Sequence, residues 1–260
     1  MFNKITLLLF SLLIIGSAHA EFELGNNEGS RVSFSSAAGY YQYKEPGLMK
    51  ITGPSLSLDL DYQYTYTNNI VLMLNSDFGF VYGRYDGSLM DGTPASLNSN
   101  SFILGISPRL GYQFYLPKYS FRLLQFIGLG YRYLNNDTSN DSRGYLRQSN
   151  YFYLSVGFIF EYEYQDWLWQ SEIEFNNLIQ GIQYSGIAGG ITNKQDSGFG
   201  IKGNILMGRN TGHVTWLIGP YIKYWNIKDS DSVKSSVDGK FYHEPANNTL
   251  DIGLMLRFIF

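Results

Sequence analysis

The chain has 260 residues, a formal charge of −3, 28 Gly, 22 Tyr and 18 Phe, and no cysteine. So slight an acidity gives no electrostatic ground for nucleic-acid binding, and without cysteine there is no disulfide framework, thiol nucleophile or cysteine-ligated metal. At 16% charged residues the chain is too polar for a bundle of membrane helices, while Tyr, Phe and Gly are strand and turn formers.

Residues 1–4 are short and basic, residues 5–15 are apolar, and Ala18-His19-Ala20 supplies a small-x-small cleavage site. This pattern predicts a cleaved secretory signal peptide over 1–20 and a single mature domain over 21–260. Polar residues 21–29 lead into a first strand over 30–44, with Val32, Phe34, Ser36, Ala38 and Tyr40 on one parity, broken at Glu45-Pro46-Gly47. A second strand over 53–65 sets Leu56, Leu58, Leu60, Tyr62 and Tyr64 against Ser55, Ser57, Asp59, Asp61 and Gln63. One of its faces suits lipid and the other water.

After a turn at Thr67-Asn68-Asn69, the third strand (70–85) directs Ile70, Leu72, Leu74, Phe78, Phe80 and Tyr82 outward and Asp77 inward. The fourth (98–116) puts Phe102, Leu104, Ile106, Leu110, Tyr112 and Phe114 outward and Arg109 inward. In the fifth (119–134), Leu123, Ile127 and Leu129 oppose Arg122 and Arg132; in the sixth (149–164), Phe152 to Tyr164 alternate with Glu161 and Glu163. The seventh (167–182) sets Trp167, Trp169, Ile173 and Phe175 against Glu172 and Glu174, and the eighth (196–209) carries Lys202 inward. The ninth (213–227) carries Lys223 inward. Pro108 and Pro220 each remove a ladder donor, which predicts bulges and a parity slip beyond them.

The closing strand, 250–260, has Leu250, Ile252, Leu254, Leu256, Phe258 and Phe260 on one face and Asp251 and Arg257 on the other. Its length covers the roughly 9 to 11 residues that a tilted strand needs to cross a bilayer. In this apolar strand with its terminal aromatic, the chain resembles the bacterial outer-membrane β-barrels. The resemblance implies location in the outer membrane, contact with its lipid, and an assembly signal at Phe258 and Phe260 read by the barrel-insertion machinery. The count predicts an all-β fold, a ten-stranded antiparallel up-and-down transmembrane barrel whose connections alternate strictly between short periplasmic turns and long extracellular loops. Those loops, 86–97, 135–148, 184–195 and 228–245, are where an extracellular ligand would bind.

By parity, Asp59, Asp61, Asp77, Arg109, Arg122, Arg132, Glu161, Glu163, Glu172, Glu174, Lys202, Lys223, Asp251 and Arg257 face the lumen. Buried charges must be paired or wet. They read either as a structural network filling the lumen, in a barrel with a structural or surface-interaction role like the small opacity-type barrels, or as the lining of a narrow, weakly cation-preferring pore.

Ten strands are also the count of the omptin proteases, and the resemblance would imply an Asp-His pair at the outer rim. Only His243, beside Glu244, with Asp86, Asp91 or Asp238 as remote acids, stands in a loop at that end, and the expected state of His243 and Glu244 is a solvated pair. His213 abuts a turn at the opposite end, and no Ser and His fall together on the lipid face as a deacylase needs. No catalytic residue, cofactor or metal site is expected. Gly198-Phe199-Gly200-Ile201-Lys202-Gly203 fits GxGxxG, but no helix follows it, so the glycines read as relief where walls crowd. Asp229, Asp231 and Asp238 lack calcium-loop spacing and read as a solvated loop. Trp167, Trp169, Tyr62, Tyr64, Tyr162 and Tyr164 form an expected aromatic girdle.

Overall fold

A computed structural model of the protein describes residues 28–89 and 92–260. The leader read over 1–20 lies outside the described residues, as does Asp91. The strands are β1 (Gly29–Glu45), β2 (Met49–Thr65), β3 (Ile70–Ser88), β4 (Pro94–Leu116), β5 (Phe121–Asp137), β6 (Leu146–Tyr164), β7 (Trp167–Ser185), β8 (Ile191–Gln195), β9 (Gly198–Asn210), β10 (Thr215–Ile227), the small pair β11 (Val233–Lys234) and β12 (Phe241–Tyr242), and β13 (Asn247–Ile259). All wall pairings are antiparallel. β8 and β9 pair in succession along β7 and together form one wall, and β13 lies between β10 and β1, so ten walls close on themselves. Closure pairs neighbouring walls around the barrel, although β8 is laddered on its β7 side alone.

The period-2 pattern places the side chains as its alternation dictates. Leu56, Leu58, Leu60, Leu72, Phe80, Leu110, Phe158, Ile173 and Leu254 are exposed on the outside. Tyr62, Tyr162, Tyr164, Trp167 and Trp169 are exposed toward the end that carries the chain terminus, and Tyr162 and Tyr164 pair directly with Trp169 and Trp167.

Neither proline makes a bulge. Pro108 holds register with Leu74 and Pro220 with Leu254, and the ladders run unshifted on both sides. Both prolines fall on the outward parity that their apolar rings suit. The shift lies instead in β7, where Phe152 pairs with Gln180 but Tyr153 with Leu178, leaving Ile179 as the extra residue. It faces the point where β8 gives way to β9, so the bulge takes up the break in the neighbouring wall.

Connections do not alternate strictly. Strand β2 begins at Met49, so the first connection at the loop end is a tight turn after Glu45. The loops read over 86–97, 135–148 and 184–195 are in part wall: β3 and β4 stay paired to Ser88↔Pro94, β5 and β6 to Asp137↔Leu146, and β7 continues against β8. The walls thus outrun the apolar belt. In the 23 residues of β4, outward Ser96, Asn98 and Asn100 lie beyond the apolar run of Phe102 to Phe114.

Inside, three apolar clusters bracket the charge. Leu168, Leu206, Leu217, Met255 and Ile259 pack near the terminal end. Tyr41, Tyr43, Ile51, Val81 and Leu134 pack toward the loop end, beside Tyr151, Tyr153, Leu178, Trp225 and Ile227. Gly130 makes room for this layer, since a Cβ there would run into the Tyr153 ring.

Candidate functional site

The central charges come from facing walls. Arg109 on β4 reaches Glu174 at 2.5 Å and Glu172 at 3.4 Å on β7, and its guanidinium carbon lies 4.6 Å from the Phe126 ring centre. Arg257 lies 3.9 Å from Glu172, and it donates to Ser35 Oγ at 3.0 Å and to Gln170. Lys202 pairs with Asp77 at 3.2 Å and Lys223 with Asp59 at 3.1 Å. Asp61 accepts from Asn75 at 2.7 Å, and Asp251 accepts from Ser55 at 2.7 Å and Tyr221 at 2.8 Å.

Toward the terminal end, Glu161 binds Arg122 at 2.5 Å and Arg31 at 2.8 Å. Arg31 escaped the sequence reading, although its parity on β1 opposes Phe34 and so points inward. Glu163 departs from the rest: it is half-buried near the β6–β7 turn, takes a 3.4 Å hydrogen bond from Asn210, and lines an open depression with Gln165 and Asp166. Arg132 stacks 5.5 Å from the Trp225 ring centre and 5.8 Å from that of Tyr151. Voids in the charged layer are small, about 30, 30 and 40 Å³. Each has room for about one or two waters.

A second cluster plugs the mouth. Arg147 pairs with Glu45 at 2.5 Å and lies 3.8 Å from Glu244, which also accepts a hydrogen bond from Ser185. Arg147 donates to Tyr145 Oη at 2.6 Å, and Tyr43 donates to Glu45 at 3.0 Å. The expected solvated pair is therefore split: His243 is exposed, but Glu244 is only 5% exposed. Segment 228–246 is folded down to hold it there. Asn193 donates to the carbonyls of Asp231 and Tyr242 at 2.9 and 3.1 Å, Lys194 N–H to Asp231 at 2.7 Å, and Ser235 to the Ala188 carbonyl at 3.1 Å. Asp229 and Asp238, read as solvated, accept from Ala246 N–H at 2.6 Å and Tyr242 Oη at 2.6 Å.

Burial raises the Glu244 carboxyl above its ordinary 4.5, and Arg147 pulls it back in part. A raised acid favours the docked segment most when protonated, so docking is strongest below about pH 4.5 and weakens as pH rises through the raised value. The chain has no cysteine, so a dye on a Val237→Cys variant reports this segment alone. Its mobility is expected to grow between mildly acidic and neutral pH. Glu244→Gln should hold it at the acid level throughout, and a wild-type signal flat with pH would count against the latch.

Among the described residues, no hydrogen bond joins His243 to a carboxylate and no cluster of three His, Asp or Glu could hold a metal. The GxGxxG stretch lies in β9, where a Cβ at Gly200 would come within 2.7 Å of Trp225. At the seam, Phe258 pairs with Phe34 and with Trp216, and Phe260 exchanges backbone hydrogen bonds of 2.9 and 3.2 Å with Val32.

No protein-family model matches the chain, and no curated protein matches it in sequence. Among solved structures, the outer membrane protease OmpT from Escherichia coli is similar at a TM-score of 0.61 and 7% identity, over 94% of this chain and 100% of that one. A major outer membrane protein from Thermus thermophilus gives 0.41 at 14% identity over 88% and 99%, and Neisserial surface protein A gives 0.36 at 10% over 88% and 98%. At these identities the likeness is one of fold: a closed β-barrel of omptin-like architecture, among neighbours that are outer-membrane proteins.

Proposed function

We propose that the protein is an integral outer-membrane barrel with a filled lumen that acts as a structural or surface-interaction element. The observation that carries this reading is the division of faces. An apolar belt surrounds the barrel, while the interior holds ion pairs, packed apolar clusters and, in the charged layer, voids of about 30 to 40 Å³. An exterior of this kind suits an apolar surround such as the hydrocarbon of a bilayer. In this reading residues 1–20 direct export, the short turns face the periplasm, and the loop end, with segment 228–246, meets any extracellular partner.

The purified barrel in planar bilayers is expected to show no resolvable openings. Steady conductance would move the assignment to the narrow cation-preferring pore. Deleting residues 230–243 and assaying surface binding by intact cells tests the interaction role. OmpT is by its name a protease, but here the sole loop-end histidine has no carboxylate hydrogen-bonded to it, so the geometry supplies no support for a rim protease.

A further inference from the structure

The outer face of the barrel carries three basic side chains at the loop end of β1 to β3. Lys44 on β1 pairs directly with Lys50 on β2, and both are exposed. Arg84 on β3 pairs with Thr52, one outward row nearer the apolar belt, and its side chain is 68% exposed. Among the described residues, neither lysine has a carboxylate within 4.0 Å. Asp86 stands opposite Lys50 on β3 but turns instead to Ser96 Oγ at 2.6 Å and Arg84 at 3.6 Å. The next residues along the ladders are uncharged, Asn248 opposite Lys44 and Asn98 opposite Arg84. Like charges directly opposite on two strands destabilise the pairing, and an anion shared by Lys44 and Lys50 would remove that cost.

The height of the patch points to the kind of anion. Tyr40 and Tyr82, both exposed, are the last outward rings of the belt on β1 and β3. Lys44 lies four residues beyond Tyr40 and Arg84 two beyond Tyr82, about 7 to 14 Å along the strands at roughly 3.4 Å per residue. On strands tilted by about 45° this is about 5 to 10 Å along the membrane normal, the depth of the headgroup layer. With Arg84 met in part by Asp86, the two lysines leave two positive charges at that depth. A phosphate monoester carries a charge of about −1.5 to −2 near neutral pH and has three strong acceptor oxygens, which suits two ammonium groups at once. We propose that the outward face of β1 to β3 binds a membrane lipid whose headgroup ends in a phosphate monoester, held by Lys44 and Lys50 with Arg84 beneath. A lipid is the occupant because exposed Tyr40, Leu56 and Tyr82, directly below the bases, offer its chains an apolar surface that a free anion would not use. The site rests on the belt lying in a bilayer, as proposed above.

Native mass spectrometry of the detergent-solubilised barrel with dioleoyl phosphatidic acid provides the test. The wild type is expected to retain phosphatidic acid several-fold more than phosphatidylcholine of the same chains. Lys44→Gln together with Lys50→Gln should lose that preference, while Lys240→Gln, which removes a charge from the turn of the β11–β12 pair, should keep it. Stability should change sign with the lipid. In phosphatidylcholine vesicles the double variant should unfold at no lower urea concentration than the wild type, because the like-charge pair is gone, and with phosphatidic acid present it should unfold at a lower one. Equal retention of the two lipids by the wild type, a preference that survives in the double variant, or full displacement of phosphatidic acid by millimolar inorganic phosphate overturns the proposal. Insertion into phosphatidylcholine vesicles, read from heat-modifiable gel mobility, tests the membrane reading separately. A barrel that inserts but shows no lipid preference overturns the headgroup site alone, and one that does not insert overturns both.

Discussion

Replacing Arg109 by Met is expected to destabilise the folded barrel by about 3–5 kcal/mol, the cost of breaking a buried ion pair from one side. Arg109 closes the centre of the lumen: it holds Glu174 at 2.5 Å and Glu172 at 3.4 Å and donates to Asn75 at 3.3 Å. Glu172 keeps Arg257 at 3.9 Å when Arg109 is lost, but Glu174 is fully buried and neither of its oxygens has another hydrogen-bond donor. The penalty therefore falls on Glu174, and neutralising it should restore stability. Arg109→Met with Glu174→Gln is expected to recover more than half of the loss, which urea unfolding in lipid vesicles measures. A single variant within about 1 kcal/mol of wild type would show that water already screens the pair.

Removing residues 258–260 is expected to reduce assembled barrel in the outer membrane by at least several-fold, read from heat-modifiable gel mobility. The deletion takes the last pairs from two ladders at once, Ser33↔Ile259 and Phe34↔Phe258 on β1 and Thr215↔Ile259 and Trp216↔Phe258 on β10. It also takes Ile259 from the apolar cluster with Leu168, Leu206 and Leu217. Phe260→Ala separates stability from recognition. Phe260 is 54% exposed and pairs through its backbone, so the alanine variant should melt like the wild type once folded. If it nevertheless accumulates less barrel, the aromatic end acts as a signal to the insertion machinery; equal accumulation would refute that role.

The wall positions were legible because a strand's two faces are set by a local period of two. The alternation of Leu56 to Tyr64 with Ser55 to Gln63, and of Leu250 to Phe260 with Asp251 and Arg257, needs no knowledge of neighbours, and inward parity followed from it even past Pro108 and Pro220. Arg31, Glu45 and Arg147 carry the same signal, since Glu45 shares parity with Tyr41 and Tyr43 and Arg147 with Ser149 and Tyr151. Glu45 and Arg147 were lost where turn-forming or polar neighbours made strand ends read as loop, whereas Arg31 lies inside the strand read over 30–44. The long paired ends of β3 to β7 are polar outside because they stand beyond the apolar belt, and single-strand hydrophobicity is silent there.

By itself, then, the sequence determined the number of walls, their inward and outward faces and the apolar belt, all consequences of local alternation under a lipid-like boundary. Only the tertiary structure decided which charges meet. Arg109 finds Glu174 across the lumen, Glu244 is drawn from its loop into the mouth by Arg147 and Ser185, the bulge settles at Ile179, and Arg132 is left with rings instead of a carboxylate. Those outcomes depend on the stagger of ten closed ladders, which brings residues far apart in the chain to one level, and no local pattern encodes that stagger.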